Sequence, residues 1–465
     1  MAFTLETHVK KILSDTLTPV SIYLKIRDTF PNSILLESSD YRASDNTFSY
    51  ICCNPIAEIK LANGLLTAAY PDGSQTSEEI GPDTDVSRSI HEFARKFTSH
   101  GPEFKFIHNG IFGYMNYDAV RYFEDVEISR KEGSPDVPDL YYAVYQNIIA
   151  IDHFKNETYL FAHCYGRASN LDQIERLLQV QTFSSYHFER DGEAGSNLSD
   201  EDFMEMVRVA KGHCAKGDVF QLVLSRRFTQ EFTGDEFNVY RALRSINPSP
   251  YLFFFDYGNF KIFGSSPEAQ LIVQDDMAEI HPIAGTFKRT GNDIDDAEKA
   301  KELSEDEKEN SEHVMLVDLA RNDLSRHCSQ VNVAKYKEVQ FFSHVIHLVS
   351  RVVGKKKKGT STMQVVADTF PAGTLSGAPK HMAMQLIERY ENVSRGYYGG
   401  AIGFMDFDGN FNHAIMIRTF LSKDHKLIYQ AGAGLVHASD PKMELLETYN
   451  KLGALNKALE MAENL

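Results

Sequence analysis

The stretch "NIIAIDHFKNETYLFAH", Asn147 to His163, sets two apolar runs on either side of the polar tract "FKNET". Runs of this length, rich in β-branched and aromatic residues and broken by a turn, read as two strands. Strands must bury a face, so the chain has to supply sheet partners and a covering layer. Further strand character lies in "SIYLKI", "SILLES", "DVFQLVLSRRF" and "YLFFFDYGNFKIFG". Helical spacing appears in "SRSIHEFARKF", where Ile90, Phe93, Ala94 and Phe97 fall on one side. "SEDEKENSEHVMLVDLARNDLSRH" reads as a helix with an acidic start, and its run from Met315 to Ala320 predicts burial. The last helix is well marked. Asp440 is its N-cap, Pro441 its first residue, and Leu445, Leu452, Leu455, Leu459 and Ala462 share a side. Strands and helices alternate irregularly and no short repeat is present, which is an α+β pattern and not a solenoid.

The polar, Gly/Ser/Asp-rich segment from Phe188 to Phe203 is the best linker candidate, with Ser199 as the cap of the helix that follows. It divides the chain into an N-terminal unit, 1–187, and a C-terminal unit, 198–465. The net charge of −17 argues against a nucleic-acid partner, which needs a basic field. The one basic run, Lys355 to Lys358, reads as a solvated hairpin tip. Five scattered cysteines without metal spacing fit a reduced, cytoplasmic protein. The start of the chain lacks the apolar core of a signal peptide, and no apolar run approaches the ~18 residues of a membrane helix.

Several features could carry chemistry. Two helices each hold Glu-x-x-Glu: Glu309 with Glu312, and Glu444 with Glu447. Each pair shares a helix face. Should the helices face each other, the oxygens would suit a hard ion such as Mg²⁺. On the residues alone, the plainer reading is two acidic helix starts that complement the dipole. Lys451 lies one turn after Glu447, either as an ordinary pair or as a cation beside a bound anion. "HPIAGTFKRT", His281 to Thr290, looks like an anion loop, yet Ala284 at its centre is inert. "QAGAGLV" is a weak Gly-x-Gly after a strand, and "PAGTLSGAPK" lacks the ending of a nucleotide-binding loop. Glu268 in "GSSPEAQ" sits in a turn where an acid could act on a leaving group. His347 lies in an apolar run, where a core role is the commoner one. Arg418, inside a strand pattern, points to a bound carboxylate or a structural salt bridge.

Taken together and in this order, "GDVFQLVLSRRF", "INPSPYLFFF", "FGSSPE", "HPIAGT", "SEHVMLVDLARNDL", "GTLSGAPK", "YYGGAIGF", "AIMIRT", "QAGAGLV" and "ETYNK" resemble the chorismate-utilising enzymes. Within them the chain is most similar to the large subunits of anthranilate synthases. The resemblance is specific over Leu198 to Leu465, and "LLESSD" with "NGIFGYMNYDAVRYFE" extends it to the first half. A departure is "FSYICCNP", where the family usually has a glycine after the isoleucine.

The resemblance implies a four-layer α/β/β/α fold with large antiparallel sheets. It assigns Glu309, Glu312, Glu444 and Glu447 to a Mg²⁺ shell that clamps the ring carboxylate of chorismate, with Lys451 beside it. Tyr398, Arg418 and the backbone at Gly432, Ala433 and Gly434 would hold the enolpyruvyl carboxylate. Ala284, Thr286 and Thr374 would line the ring. Ammonia would displace the C4 hydroxyl by attack at C2, with Glu268 as general acid, and His347 would assist the loss of pyruvate. Isochorismate-forming relatives carry a lysine base where this chain has Gln221. Aminodeoxychorismate synthases, the nearest alternative, carry a nucleophilic lysine in place of Ala284. The chain has no glutaminase signature, so ammonia would come from a separate glutamine amidotransferase subunit, commonly in a heterotetramer. Leu36, Glu37 and Ser38, with Pro250, Tyr251, Leu252 and Phe253, resemble a tryptophan feedback site. A non-catalytic tryptophan-sensing homologue is the alternative from another class, and the intact set of site residues speaks against it.

Overall fold

The computed structural model describes residues 2–38, 47–81, 84–341 and 345–465. Two long strands, Phe48–Ala62 and Leu140–Asp152, pair antiparallel along most of their length. Their register shifts between Pro55 and Ala57. Proline has no N–H for the ladder, so a bulge is tolerated there and the ribbon bends. Before the shift, Tyr50 to Cys52 take the strand Ile34–Glu37, and Asn147 to Asp152 take Glu157–Cys164. After it, Glu58 to Ala62 pair with Leu65–Ala69, and Leu140 to Ala143 with Ile111–Met115. One ribbon therefore feeds two sheets.

The first sheet continues from Ile34–Glu37 through Tyr251–Asp256, Phe260–Ser266, Thr419–Lys423 and Lys426–Leu435 to Gln221–Gly234. The second runs from Ile111–Met115 through Ala401–Met405, Phe411–Ile415, Ala269–Gln274 and Met277–Ile280 to Val345–Lys356. That last strand also pairs with Ile283–Lys288 and Cys328–Phe341. Among the described residues the pairings are antiparallel, except where Phe3–Leu13 meets Phe97–His100.

The alternation of side chains builds the layers. On Tyr251–Asp256, Leu252 and Phe254 pack with the helices Pro19–Ile26, Phe237–Ile246 and Pro441–Ala462. Phe253 and Phe255 point the other way, into a core shared with Tyr114, Ile402 and Ile415 of the second sheet. The far face of that sheet, through Leu271 and Val273, packs with Val86–Arg95, Glu307–Ser325 and Thr362–Thr369. The order is helix, sheet, sheet, helix, as the resemblance implied.

Some expectations need correction. "SIYLKI" lies in the helix Pro19–Ile26 and is not a strand: Thr18 caps it reciprocally with Ser21, and Pro19 opens it. The first part of the linker candidate Phe188 to Phe203, Phe188–Ser196, is a strand on Gln221–Gly234, and its polarity is that of an exposed edge. Strands from both sides of it share each sheet. Lys356 is not a solvated tip, because its ammonium reaches Asp276 at 3.1 Å and the Thr362 hydroxyl at 2.9 Å. Of the run from Met315 to Ala320, Leu316, Val317 and Ala320 are buried as expected, whereas Met315 and Leu319 are half-buried and Asp318 is exposed. Ser199 and Asp440 cap their helices as read.

Phe254 touches the rings of Tyr23, Phe237, Tyr240 and Phe263. Phe254→Ala is expected to destabilise the fold by about 3–5 kcal/mol, read as a lower denaturant midpoint at unchanged slope.

Candidate active site

The chain crosses from the first sheet to the second between Phe260–Ser266 and Ala269–Gln274, and Glu268 sits in that crossing. It crosses back between Phe411–Ile415 and Thr419–Lys423, and Arg418 sits there with φ 49°. Arg418 is therefore at a junction and not inside a strand. Thr374, on the short helix Gly373–Ser376, donates its hydroxyl to Glu268 Oε1 at 3.0 Å. Burial pushes the Glu268 carboxyl up to about 8, against the opposing pull of Thr374 and the Arg418 guanidinium. Burial also lowers the Arg418 pKa, while Glu268 holds it up. Asn247 Oδ1 accepts from Arg418 Nη1 at 3.5 Å.

"HPIAGTFKRT" is no loop: its centre is the strand Ile283–Lys288, bulged where Gly285 takes φ 72°. A Cβ on Gly285 would come within 2.7 Å of Leu303 and 3.1 Å of Glu309 Oε2, so the bulge brings the backbone against the helix that carries Glu309. The carbonyl of Gly285 accepts from His347 Nδ1 at 2.7 Å. That bond puts the proton on Nδ1 and leaves the lone pair on Nε2. Burial lowers the His347 pKa, which favours this neutral form. Ala284 is buried beside it, and the side chain of Thr286 lies outside the described residues.

The first sheet supplies the rest. "QAGAGLV" continues the strand Lys426–Leu435 and forms no loop. Gln221 Nε2 donates to Glu312 Oε1 at 2.7 Å. A Cβ on Gly434 would fall 2.7 Å from that same amide nitrogen, so only glycine leaves room for the contact. Gly432 lies under the Tyr398 hydroxyl, 3.0 Å from where its Cβ would be. Lys451 Nζ donates to Gly432 O at 2.8 Å and pairs with Glu447 Oε1 at 2.7 Å. Ala433, between the glycines, turns its methyl to the opposite face, among Phe203 and Leu386. It can offer only backbone to a ligand.

The donor chemistry of the four glutamates fits a hard divalent cation. Glycines 285 and 434 leave space beside Glu309 and Glu312, and Gln221 Oε1 is buried with no hydrogen-bond partner among the described residues. Among the described residues no group of three His, Cys, Asp or Glu side chains could hold a metal. Glu444 is buried, and Glu447 is half exposed.

The segments read as a tryptophan site are neighbours: Leu252 pairs with Glu37 and Phe253 with Leu36. The Glu37 carboxylate already accepts from the Tyr240 hydroxyl at 2.6 Å and from Arg244 Nε at 2.8 Å. Leu252 and Phe253 are buried on opposite faces, while Leu36, Ser38, Pro250 and Tyr251 are half-buried. Tyr240, Arg244 and Asn247 were not among the sequence candidates; Asn247 lies in the motif "INPSPYLFFF", whereas no local pattern marks Tyr240 and Arg244, which act through the fold. A cavity of about 300 Å³ lined by Asp118, Arg121, Arg227 and Arg395 contains none of the candidates. It lies apart from the chemistry described here.

A profile of the chorismate binding enzymes matches residues 33–457. This chain belongs to that family. Anthranilate synthase component 1 of Aquifex aeolicus is 38% identical to it, over 97% of this chain and 94% of its own length. The Lactococcus lactis protein of the same name is 36% identical, over 97% and 99%. The crystal structure of anthranilate synthase component I from Streptococcus pneumoniae superposes with a TM-score of 0.78 at 33% identity, covering 96% of this chain and 99% of its own. The menaquinone-specific isochorismate synthase of Escherichia coli shares the fold, with a TM-score of 0.73 at 18% identity over 98% of this chain and 95% of its own.

In a chorismate-binding enzyme a Gly434→Ala change would push the Gln221 amide off Glu312. Chorismate affinity, followed by fluorescence titration, is expected to fall about tenfold, or ~1.4 kcal/mol, with the circular dichroism spectrum unchanged.

Proposed function

We propose that the chain is the large subunit of an anthranilate synthase. It converts chorismate and ammonia to anthranilate and pyruvate, with ammonia supplied by a separate glutaminase subunit. The observation that carries this reading is a pair of residues that do not ionise. Gln221, bonded to Glu312, is no base for water. Buried Ala284 is no nucleophile for the ring. The nucleophile must then arrive from outside and need no deprotonation, as ammonia does. The similarity to anthranilate synthase components 1 along nearly the whole chain supports the same reading.

Ammonia adds at C2 as the C4–O bond breaks. Glu268 is protonated at neutral pH and gives its proton to the departing oxygen, so water leaves in place of hydroxide. Arg418 and Tyr398, with the backbone at Gly432 and Gly434, orient the enolpyruvyl carboxylate. In the second step His347 Nε2 takes the C2 proton, the ring C–O bond to the side chain breaks as the ring aromatises, and the departing enolate takes a proton back from His347 at its methylene carbon to become pyruvate. Glu309, Glu312, Glu444 and Glu447 would hold Mg²⁺, which when bound supplies positive charge to the ring carboxylate. Lys451 adds a cation on the same side. Glu37 and Ser38, against the strand Tyr251–Asp256, form a tryptophan feedback site, in which the inhibitor must prefer an inactive state.

Purified chain with chorismate, Mg²⁺ and an ammonium salt at mildly alkaline pH is expected to give fluorescent anthranilate and pyruvate. A chelator should abolish both products, and glutamine alone should give neither. Accumulation of an amino-chorismate without pyruvate would sink the reading. Tryptophan should inhibit, and Ser38→Ala should weaken the inhibition while leaving uninhibited turnover intact; equal inhibition of both proteins would remove the regulatory site.

The pH profile tests Glu268 directly. Its pKa is raised, so the acid form is fully present well below about 8 and is lost as pH rises through that value. At constant free ammonia, kcat is expected to fall above about pH 8. Glu268→Gln should lower kcat by about 100-fold or more and remove that limb.

A further inference from the structure

Behind Glu268 lies a chamber of about 30 Å³. A water needs roughly 10–15 Å³ of such space and two to four polar partners. Two waters therefore fit, and the lining offers partners: Glu268 and Thr374, then Gln270, Thr369 and Asp323. The remaining wall is largely apolar.

Gln270 is the informative residue. It is 3% exposed, and its Nε2 donates to Thr369 Oγ1 at 3.0 Å. Thr369 spends its own proton on the backbone carbonyl of Val365 at 3.0 Å or Val366 at 3.2 Å. Its oxygen can therefore only accept from the amide, which fixes Gln270 with Oε1 turned away. Oε1 has no hydrogen-bond partner among the described residues. A buried amide oxygen in that position calls for a water. Asp323 lines the same chamber, paired with Lys380 Nζ at 2.6 Å, and keeps 13% side-chain exposure toward solvent. Lys380 Nζ also donates to Thr369 O at 3.0 Å. The charge acting on Glu268 is that of Arg418, and the one other charged side chain in the chamber lining is Asp323, which is paired with Lys380.

We propose that two waters in this chamber, the first held by Gln270 Oε1, form the path by which Glu268 regains its proton after each turnover. The path rests on the role of Glu268 in the proposed reaction. Glu268 loses a proton when the C4–O bond breaks and water leaves. The carboxylate takes a proton from the adjacent water, that water takes one from the next, and solvent resupplies the last past Asp323. Ammonia's attack leaves an ammonium that returns one proton to solvent, so the cycle balances.

Two measurements test it. A high-resolution crystal structure of the chain is expected to show ordered water within hydrogen-bond reach of Gln270 Oε1; a dry chamber overturns the path. Gln270→Leu keeps the bulk and removes the acceptor. Its ammonia-dependent kcat is expected to fall about tenfold, with KM for chorismate within about twofold of wild type. The solvent deuterium isotope effect on kcat should rise. Thr369→Val, which frees the amide to turn, should move both readouts the same way by less, and an unchanged thermal midpoint separates either change from misfolding. A Gln270→Leu protein with wild-type kcat and isotope effect overturns the path while the reaction stands. A wild-type chain that makes no anthranilate overturns the reaction itself.

Discussion

The ladder between Phe48–Ala62 and Leu140–Asp152 is the contact on which the rest depends. Its two halves belong to different sheets, and the register shift at Pro55 lets one ribbon serve both. The sheets can then face each other across an apolar layer without either ending in an open edge at the joint. The candidate site residues Glu268 and Arg418 sit where the chain passes between these sheets. Glu268 leaves the first sheet for the second, and Arg418 returns from the second to the first. Their separation is set by how the two sheets pack, more than by any loop of their own.

At each crossing the backbone stays tied to a neighbouring strand, Ile415 N to Glu268 O at 3.0 Å and Ser265 N to Arg418 O at 3.1 Å, while the side chains lie outside both ladders and are buried. That combination explains the electrostatics. Glu268 is desolvated without being given a full ion pair: it receives one hydroxyl hydrogen bond and the nearby field of Arg418. Burial therefore wins and the acid stays protonated near neutrality. A carboxylate bound closely by Arg418 would have moved the other way, as Glu279 does beside His281 and Arg351, where the carboxyl is held down to about 2. One acid of this chain is thus held charged by hydrogen bonds from its cationic neighbours, and the other is kept neutral by burial.

Much of this was legible in the sequence where a local rule decides. The Asn147 to His163 hairpin, the Ser199 and Asp440 caps and the apolar face of the last helix all follow from short-range chemistry. Legibility failed where tertiary context overrides composition. Pro19–Ile26 has strand-like residues but is held as a helix by its cap. Phe188–Ser196 has linker-like residues but is drawn into the ladder of its neighbour. At the site, Glu268, Thr374, His347 and Gln221 could be named from their motifs. Their contacts could not: the Gly285 carbonyl under His347 depends on a bulge, and the grip of Tyr240 and Arg244 on Glu37 joins residues some two hundred positions apart.

The two residues that sharpen the functional reading come from opposite sheets. Gln221 belongs to the first and Ala284 to the second. Each is held by its own neighbours: Gln221 by Glu312 and the bare backbone of Gly434, Ala284 by the bulge that Gly285 makes possible. At Gln221 the amide nitrogen already lies against the space that a Cβ on Gly434 would fill, and at Ala284 the side chain is buried against a packed strand. Neither position carries an ionisable side chain. With no lysine base and no lysine nucleophile at these two positions, the proposed reaction takes a nucleophile that needs neither, as ammonia does.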